Sequence, residues 1–188
     1  TEKKLKWVYS KGKVVIDEHG NSIRFAGTVQ DITQQLGVEK ALEYEKEFSD
    51  SILNSQVDTF FLFESETGKA VRWNKAFRDI TGYSDEEITS LKAPDSYYSK
   101  EDLKRASVFI PEILKSGSGI IEMDLICKDG HKVCTEYKAS IVRDKQGNPK
   151  YIISIGRDIS DRKEAEAELR ENIERQKLVL NSLPIVFY

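Results

Sequence analysis

Cysteine and histidine are scarce in these 188 residues, which hold two of each: Cys127, Cys134, His19 and His131. Two cysteines cannot build a disulfide framework, so a reducing compartment, the cytoplasm, is the expected location. Cys127 and Cys134 flank a hairpin, and no ligand quartet with zinc spacing accompanies them, so no metal site is expected. Neither histidine sits in a motif that could serve a nucleophilic triad. Long apolar runs are also missing. Phe60-Phe61-Leu62-Phe63 and Tyr151-Ile152-Ile153 fall far short of the ~18 residues of a membrane span, and no export signal is visible. Nor is there a basic excess: 29 Lys and Arg face 32 Asp and Glu, a net charge of −3, whereas a nucleic-acid binder needs a strong basic stripe. Ser116-Gly117-Ser118-Gly119 is no phosphate loop, because it lacks the following Gly-Lys-Ser/Thr and leads into a strand.

What is present is enough apolar material for a packed core, 39% of the residues, and an internal repeat. Gly20-Asn21 and Asp31-Ile32-Thr33 return as Gly147-Asn148 and Asp158-Ile159-Ser160, both at an offset of 127. Leu53-Asn54-Ser55 returns as Leu180-Asn181-Ser182 at the same offset. Two independent matches at one spacing predict a complete unit at 51–160 between fragments of neighbouring copies. Residues 1–33 read as the last strands of a preceding copy, 181–188 as the start of a following one, and 34–50 and 161–180 as helical connectors.

Within the complete unit, Thr59–Glu64 and Ala70–Trp73 read as strands joined by a turn. Asn74 suits a helix N-cap, and Gly82 suits the left-handed position that ends that helix. Ser84-Asp85-Glu86-Glu87 is a capping box. A longer helix opens at Ser99, with a kink or stop expected near Ile110 because Pro111 follows. Two long strands then pair across Lys128-Asp129-Gly130, in a register that matches Leu125 with Val133 and Met123 with Thr135. A last strand covers 150–159. The expected class is α+β: a five-stranded antiparallel sheet with short helices inserted between strands 2 and 3, flanked by helical connectors. Two strands are apolar on both faces, so a connector or a second subunit is expected over the outer side.

The order of these motifs, Trp73-Asn74-Lys75-Ala76-Phe77, Thr81-Gly82-Tyr83-Ser84-Asp85-Glu86-Glu87, Lys128-Asp129-Gly130, Gly147-Asn148-Pro149 and Gly156-Arg157-Asp158-Ile159-Ser160, resembles the PAS domain with its PAC-type C-terminal half. Residues 1–33 resemble a PAC tail as well. Ser160 stands where the family usually has Thr, which keeps a hydroxyl at the junction. The resemblance implies a PAS fold over 51–160 and a sensory or docking module, often found in tandem in histidine kinases and diguanylate cyclases.

It also implies where to look for a ligand. Haem-binding members carry a histidine on the long helix, and 95–115 contains none. Photoactive flavin members carry a cysteine within Asn-Cys-Arg after the first helix, and 82–94 contains none. Both cofactors are therefore disfavoured and the ligand is unknown. Candidate pocket residues on the inner face are Phe77, Tyr97, Tyr98, Leu103, Met123, Leu125, Val133, Thr135 and Tyr137, which equally suit a plain core. The signal-relay junction comprises Asp158, Ile159, Ser160 and Arg162, with Ser160 capping the connector helix and Arg162 the candidate partner of Asp158. Leu169, Ile173, Gln176, Leu180 and Leu183 trace an apolar seam, as do Val38, Ala41, Glu45, Phe48 and Ile52, consistent with coiled-coil pairing. A homodimer through the connectors and outer sheet face is expected, with an effector, a histidine kinase, elsewhere in the parent chain. The alternative is a ligand-free interaction and dimerisation module of a diguanylate cyclase or other regulator. No catalytic constellation is visible. Residues 184–188 could add a strand to the open edge at 24–30.

Overall fold

The computed structural model describes residues 5–182, with side chains described through residue 178. The chain divides into two compact units, Thr1–Ile52 and Leu53–Tyr188.

The first unit holds an antiparallel hairpin, β1 (Val8–Ile16) and β2 (Ser22–Asp31), followed by helix α1 (Thr33–Asn54), which runs across the division. The pairing runs from Val8↔Asp31 to Val15↔Arg24 and slips between Val15 and Ile16. Asp17 sets the turn, its Oδ1 accepting from the His19 and Asn21 amides at 2.9 and 2.8 Å. Every residue of both strands is exposed.

The second unit is the expected five-stranded antiparallel sheet, built from β3 (Thr59–Glu64), β4 (Ala70–Trp73), β5 (Ser118–Ile126), β6 (Lys132–Arg143) and β7 (Pro149–Asp158) in the order β4-β3-β7-β6-β5. Helices α2 (Lys75–Thr81), α3 (Asp85–Ser90) and α4 (Lys100–Ser116) are inserted between the second and third of these strands, and α5 (Ser160–Ser182) follows the last. The hairpin register is Leu125↔Val133 and Met123↔Thr135. Ser84 and Glu87 form the reciprocal capping box of α3, and Gly82 ends α2 at φ +73°.

Asn74 explains how the insertion is anchored. It is buried, and its Oδ1 accepts from the Phe60 and Phe77 amides at 2.9 and 3.0 Å. Its Nδ2 donates to the Leu53 and Asp58 carbonyls at 3.1 and 2.9 Å. One side chain thus ties the end of α1, the start of β3 and the first turn of α2 together, with its hydrogen-bonding capacity filled.

Of the two outcomes expected near Ile110, a kink or a stop, the long helix excludes the stop. Pro111 neither stops nor splits it, and α4 continues to Ser116. A proline costs an interior helix about 3 kcal/mol or more through one lost hydrogen bond and a ring clash. Burial on both sides of the proline opposes that cost: Ile113 is in the core and Phe109 packs against it.

The core lies between the inserted helices and the inner sheet face. Phe61 stacks on Phe77 with ring centroids 4.5 Å apart, and Tyr97 meets both edge-on at 5.6 and 5.4 Å. On the opposite face, the register sets Phe60 beside Ile155 and Leu62 beside Ile153, all four half-buried. Among the described residues no helix is long and apolar enough to cross a membrane. The edge strand expected at 184–188 lies outside the described residues, as do 183–188 of the segment read as the start of a following copy.

Candidate functional site

Alternation along the strands and 3–4 spacing along α4 produce the first candidate site. The inward residues Thr59, Phe61 and Phe63 of β3, with Met123 and Tyr137 from β5 and β6, face Ala106, Phe109 and Ile113 of α4 across a cavity of about 50 Å³. No charged residue lines it. Of the nine residues expected to form a pocket, Phe77, Tyr97, Tyr98, Met123 and Tyr137 line this cavity. Leu125 and Val133 are buried nearer the hairpin end of the sheet, packed in the core with Cys127 and Ile80. The Cys127 Sγ approaches the Ile80 carbonyl there at 3.1 Å, so α2 covers that end. Thr135 is buried with its hydroxyl donated to the Val133 carbonyl at 2.9 Å. Leu103 is half-buried on α4, away from the cavity.

Sequence reasoning missed Phe61, Phe63, Phe109 and Ile113 as cavity walls. The two-residue period of Thr59, Phe61 and Phe63 carries the signal, but the alternate residues Phe60 and Leu62 are equally apolar and mask it. Ile113 lies beyond Pro111, where a kink or a stop is equally compatible with the sequence.

The cavity's polar character comes from tyrosines. The Tyr97 and Tyr137 hydroxyls are buried and complete no hydrogen bond, with that of Tyr137 close to the Tyr98 and Thr135 hydroxyls. Burial raises the Tyr97 phenol, and the nearby Tyr83 adds to the shift. Burial also drives up Tyr98, helped by Tyr137, and pushes Tyr137 up to about 12. The phenols therefore stay neutral and able to donate.

The second candidate site is the passage from β7 into α5. Only Ile159 separates the elements; it is buried, and its amide donates to the Cys134 carbonyl at 2.9 Å. Its carbonyl accepts from the Lys163 amide at 2.9 Å, so sheet pairing passes directly into the first helical turn. The Asp158 carboxylate accepts from the Ser160 amide at 2.8 Å. Asp158, rather than the Ser160 hydroxyl, is therefore the side chain that holds the helix start.

Arg162 does not take Asp158 as its partner. It reaches Glu122 at 2.8 Å and Glu136 at 3.6 Å, while Lys163 makes a 2.6 Å pair with the same Glu122. The Lys163 hydrogen bond, aided by the charges of both cations, holds the Glu122 carboxyl below its ordinary value. Next to the junction, Arg157 donates to both Asp58 oxygens, at 3.3 and 3.0 Å, linking the last strand to the residue before the first. Among the described residues no cluster of His, Cys, Asp and Glu could hold a metal ion.

Residues 57–161 match the family model described as the PAS domain. The Methyl sulfide methyltransferase-associated sensor of Methanosarcina acetivorans is 32% identical over 128 residues, which span 65% of this chain and 12% of that protein. A PAS domain crystal structure from Colwellia psychrerythraea superposes with a TM-score of 0.56 at 18% identity, covering 61% of this chain and 97% of that one. A PAS domain from a two-component sensor histidine kinase does so with a TM-score of 0.52 at 18% identity, covering 62% and 97%. At such identities the two structures establish the fold alone.

Proposed function

The chain belongs to the PAS domain family, whose members are sensory, non-catalytic modules, and we propose that 51–160 perceives a small ligand or partner and relays it through α5 to an effector. The observation that carries this reading is the junction. A strand of the ligand-facing sheet continues into a helix through one buried residue, and that helix is clamped to β5 and β6 by Arg162 and Lys163. A shift of the sheet must then move the helix, by no more than the ligand's differential affinity for the two states can drive.

Residues 1–33 are, in this reading, the last strands of a preceding PAS/PAC repeat, and 181–188 begin a following one, with 34–50 and 161–180 as connectors. The β1–β2 register supports it, because Val8↔Asp31 reproduces Thr135↔Asp158 at the 127-residue offset. In this reading the effector is a histidine kinase, a choice in keeping with the similarity to a protein named as a sensor. Val38, Leu42 and Phe48 of α1, with Leu169 and Ile173 of α5, are exposed, which favours pairing of the connectors in a cytoplasmic homodimer. The ligand-free dimerisation reading draws on those same residues and on the apolar outer face.

Asp158→Ala in the parent protein tests the relay. Loss of signal-dependent output, with the 51–160 fold retained, is the expected result. Unchanged signalling overturns the junction's role.

A further inference from the structure

Resting on that sensory reading, we propose that the ligand of the inner cavity is a neutral molecule smaller than benzene, largely apolar, that accepts a hydrogen bond from the Tyr97 or Tyr137 hydroxyl. Three observations converge on this chemistry. First, the cavity of about 50 Å³ is a third of the ~150 Å³ that admits benzene. Second, its walls are mostly aliphatic and aromatic, and none of its lining residues carries a charge. An ionised ligand entering here loses its hydration and gains no counter-ion.

Third, the two phenols are buried, 2% and 4% exposed, and neither hydroxyl completes a hydrogen bond, although that of Tyr137 lies near the Tyr98 and Thr135 hydroxyls. Buried polar groups are nearly always hydrogen-bonded, so an orphaned pair around one cavity marks the place where a partner belongs. Of the two aliphatic hydroxyls on the wall, Thr59 at the start of β3 donates to the Gly156 carbonyl at 3.1 Å, and Ser154 is the other. The two phenols are the buried hydroxyls that complete no hydrogen bond, and their raised pKa values keep the proton on oxygen at neutral pH.

The chain supplies its own reporter. Met123 lines the cavity and is the single methionine, so methyl-carbon labelling of methionine gives one NMR signal at the site. The full 188-residue chain is titrated with acetone, with acetate as its charged isostere, and with xenon as an apolar occupant lacking an acceptor. Acetone and xenon are expected to shift the Met123 methyl saturably, while acetate at equal concentration leaves it in place. Tyr97→Phe or Tyr137→Phe, whichever removes the donor, weakens acetone by roughly fivefold, the effect of one neutral hydrogen bond, and leaves the xenon response intact. Retained xenon binding also shows that the variant is folded.

Equal shifts from acetate overturn the requirement for a neutral ligand. Acetone affinity unchanged in both variants overturns recognition through the phenols. A Met123 signal that no probe moves overturns a ligand in this cavity. Each of these leaves the relay to its own test at Asp158, where failure takes the form of unaltered output.

Discussion

The hairpin and helix of the first unit, β1–β2–α1, and their counterparts β6–β7–α5 have the same local structure in opposite surroundings. Both hairpins slip after a valine, Val15 in one and Val142 in the other. Both turns rest on an aspartate whose carboxylate accepts from an asparagine amide four residues on, Asp17 from Asn21 at 2.8 Å and Asp144 from Asn148 at 2.9 Å. Both helices open on an amide held by the preceding aspartate, Thr33 by Asp31 at 3.0 Å and Ser160 by Asp158 at 2.8 Å. Yet Ile152 is 2% exposed and its counterpart Phe25 is 74% exposed. Turn, bulge and cap are therefore written locally, in residues within a few positions of one another. Burial of the inner face is a property of the elements that cover it, which the second unit provides through β3 and the inserted helices.

The comparison breaks most sharply at that pair. Ile152→Ala should destabilise the second unit by about 3 kcal/mol, since it removes buried methyl groups and leaves a cavity. Phe25→Ala should change the stability of the first unit by no more than about 0.5 kcal/mol. The chain has two tryptophans, Trp7 in the first unit and Trp73 in the second. Urea unfolding followed by fluorescence of each, with the other replaced by Phe, separates the units. Comparable losses at both positions would refute the division into local and tertiary contributions.

A smaller effect is expected at Gly156, where the first copy has Val29. A β-carbon on Gly156 meets Thr59 Oγ1 and Tyr137 Cε1 at 2.6 Å and Thr135 Cγ2 at 2.9 Å. Gly156→Ala should cost about 2 kcal/mol, the range of overpacking, read from the same Trp73 transition. The glycine is required by the neighbours packed on it, and the exposed Val29 shows that the hairpin's own geometry accepts a side chain.

The smallest effect sharpens the comparison at the two helix starts. Asp31 is pulled down to about 2 by the Thr33 hydroxyl and Lys6, while Glu122 is lowered chiefly by Lys163. A carboxylate with a depressed folded pKa stabilises fully above its unfolded value and loses that contribution as pH falls through the folded one. Amide exchange in the first turn of α5 should therefore quicken as pH drops below about 4.5, the ordinary glutamate value. In α1 it should do so between 3.8 and about 2. Exchange rates are compared after correction for intrinsic pH dependence; identical onset in both helices would contradict the different partners.

The same division explains what was legible in the sequence. The five strands, the Asn74 and Ser84 caps, Gly82 and the hairpin register all follow from residues within a few positions of one another. Whether α4 continues past Pro111 or stops there was left open, because the choice depends on packing around Ile113 that only the folded sheet supplies. The split of the nine inner-face residues between cavity and core depends on where α2 and α4 lie along the strands. Arg162 was assigned to its near neighbour Asp158, whereas Glu122 and Glu136 arrive from strands 40 and 26 positions earlier in the chain.

The ion pairs around Glu122 act at one extremity of a 23-residue helix, which makes Ile159 a pivot and α5 its lever. At 1.5 Å rise per residue the arm is roughly 34 Å long, so a tilt of about 5° at the pivot sweeps the far tip through about 3 Å. A fraction of an ångström in the distance from Arg162 or Lys163 to its carboxylates is thereby magnified into a movement on the scale of a side chain.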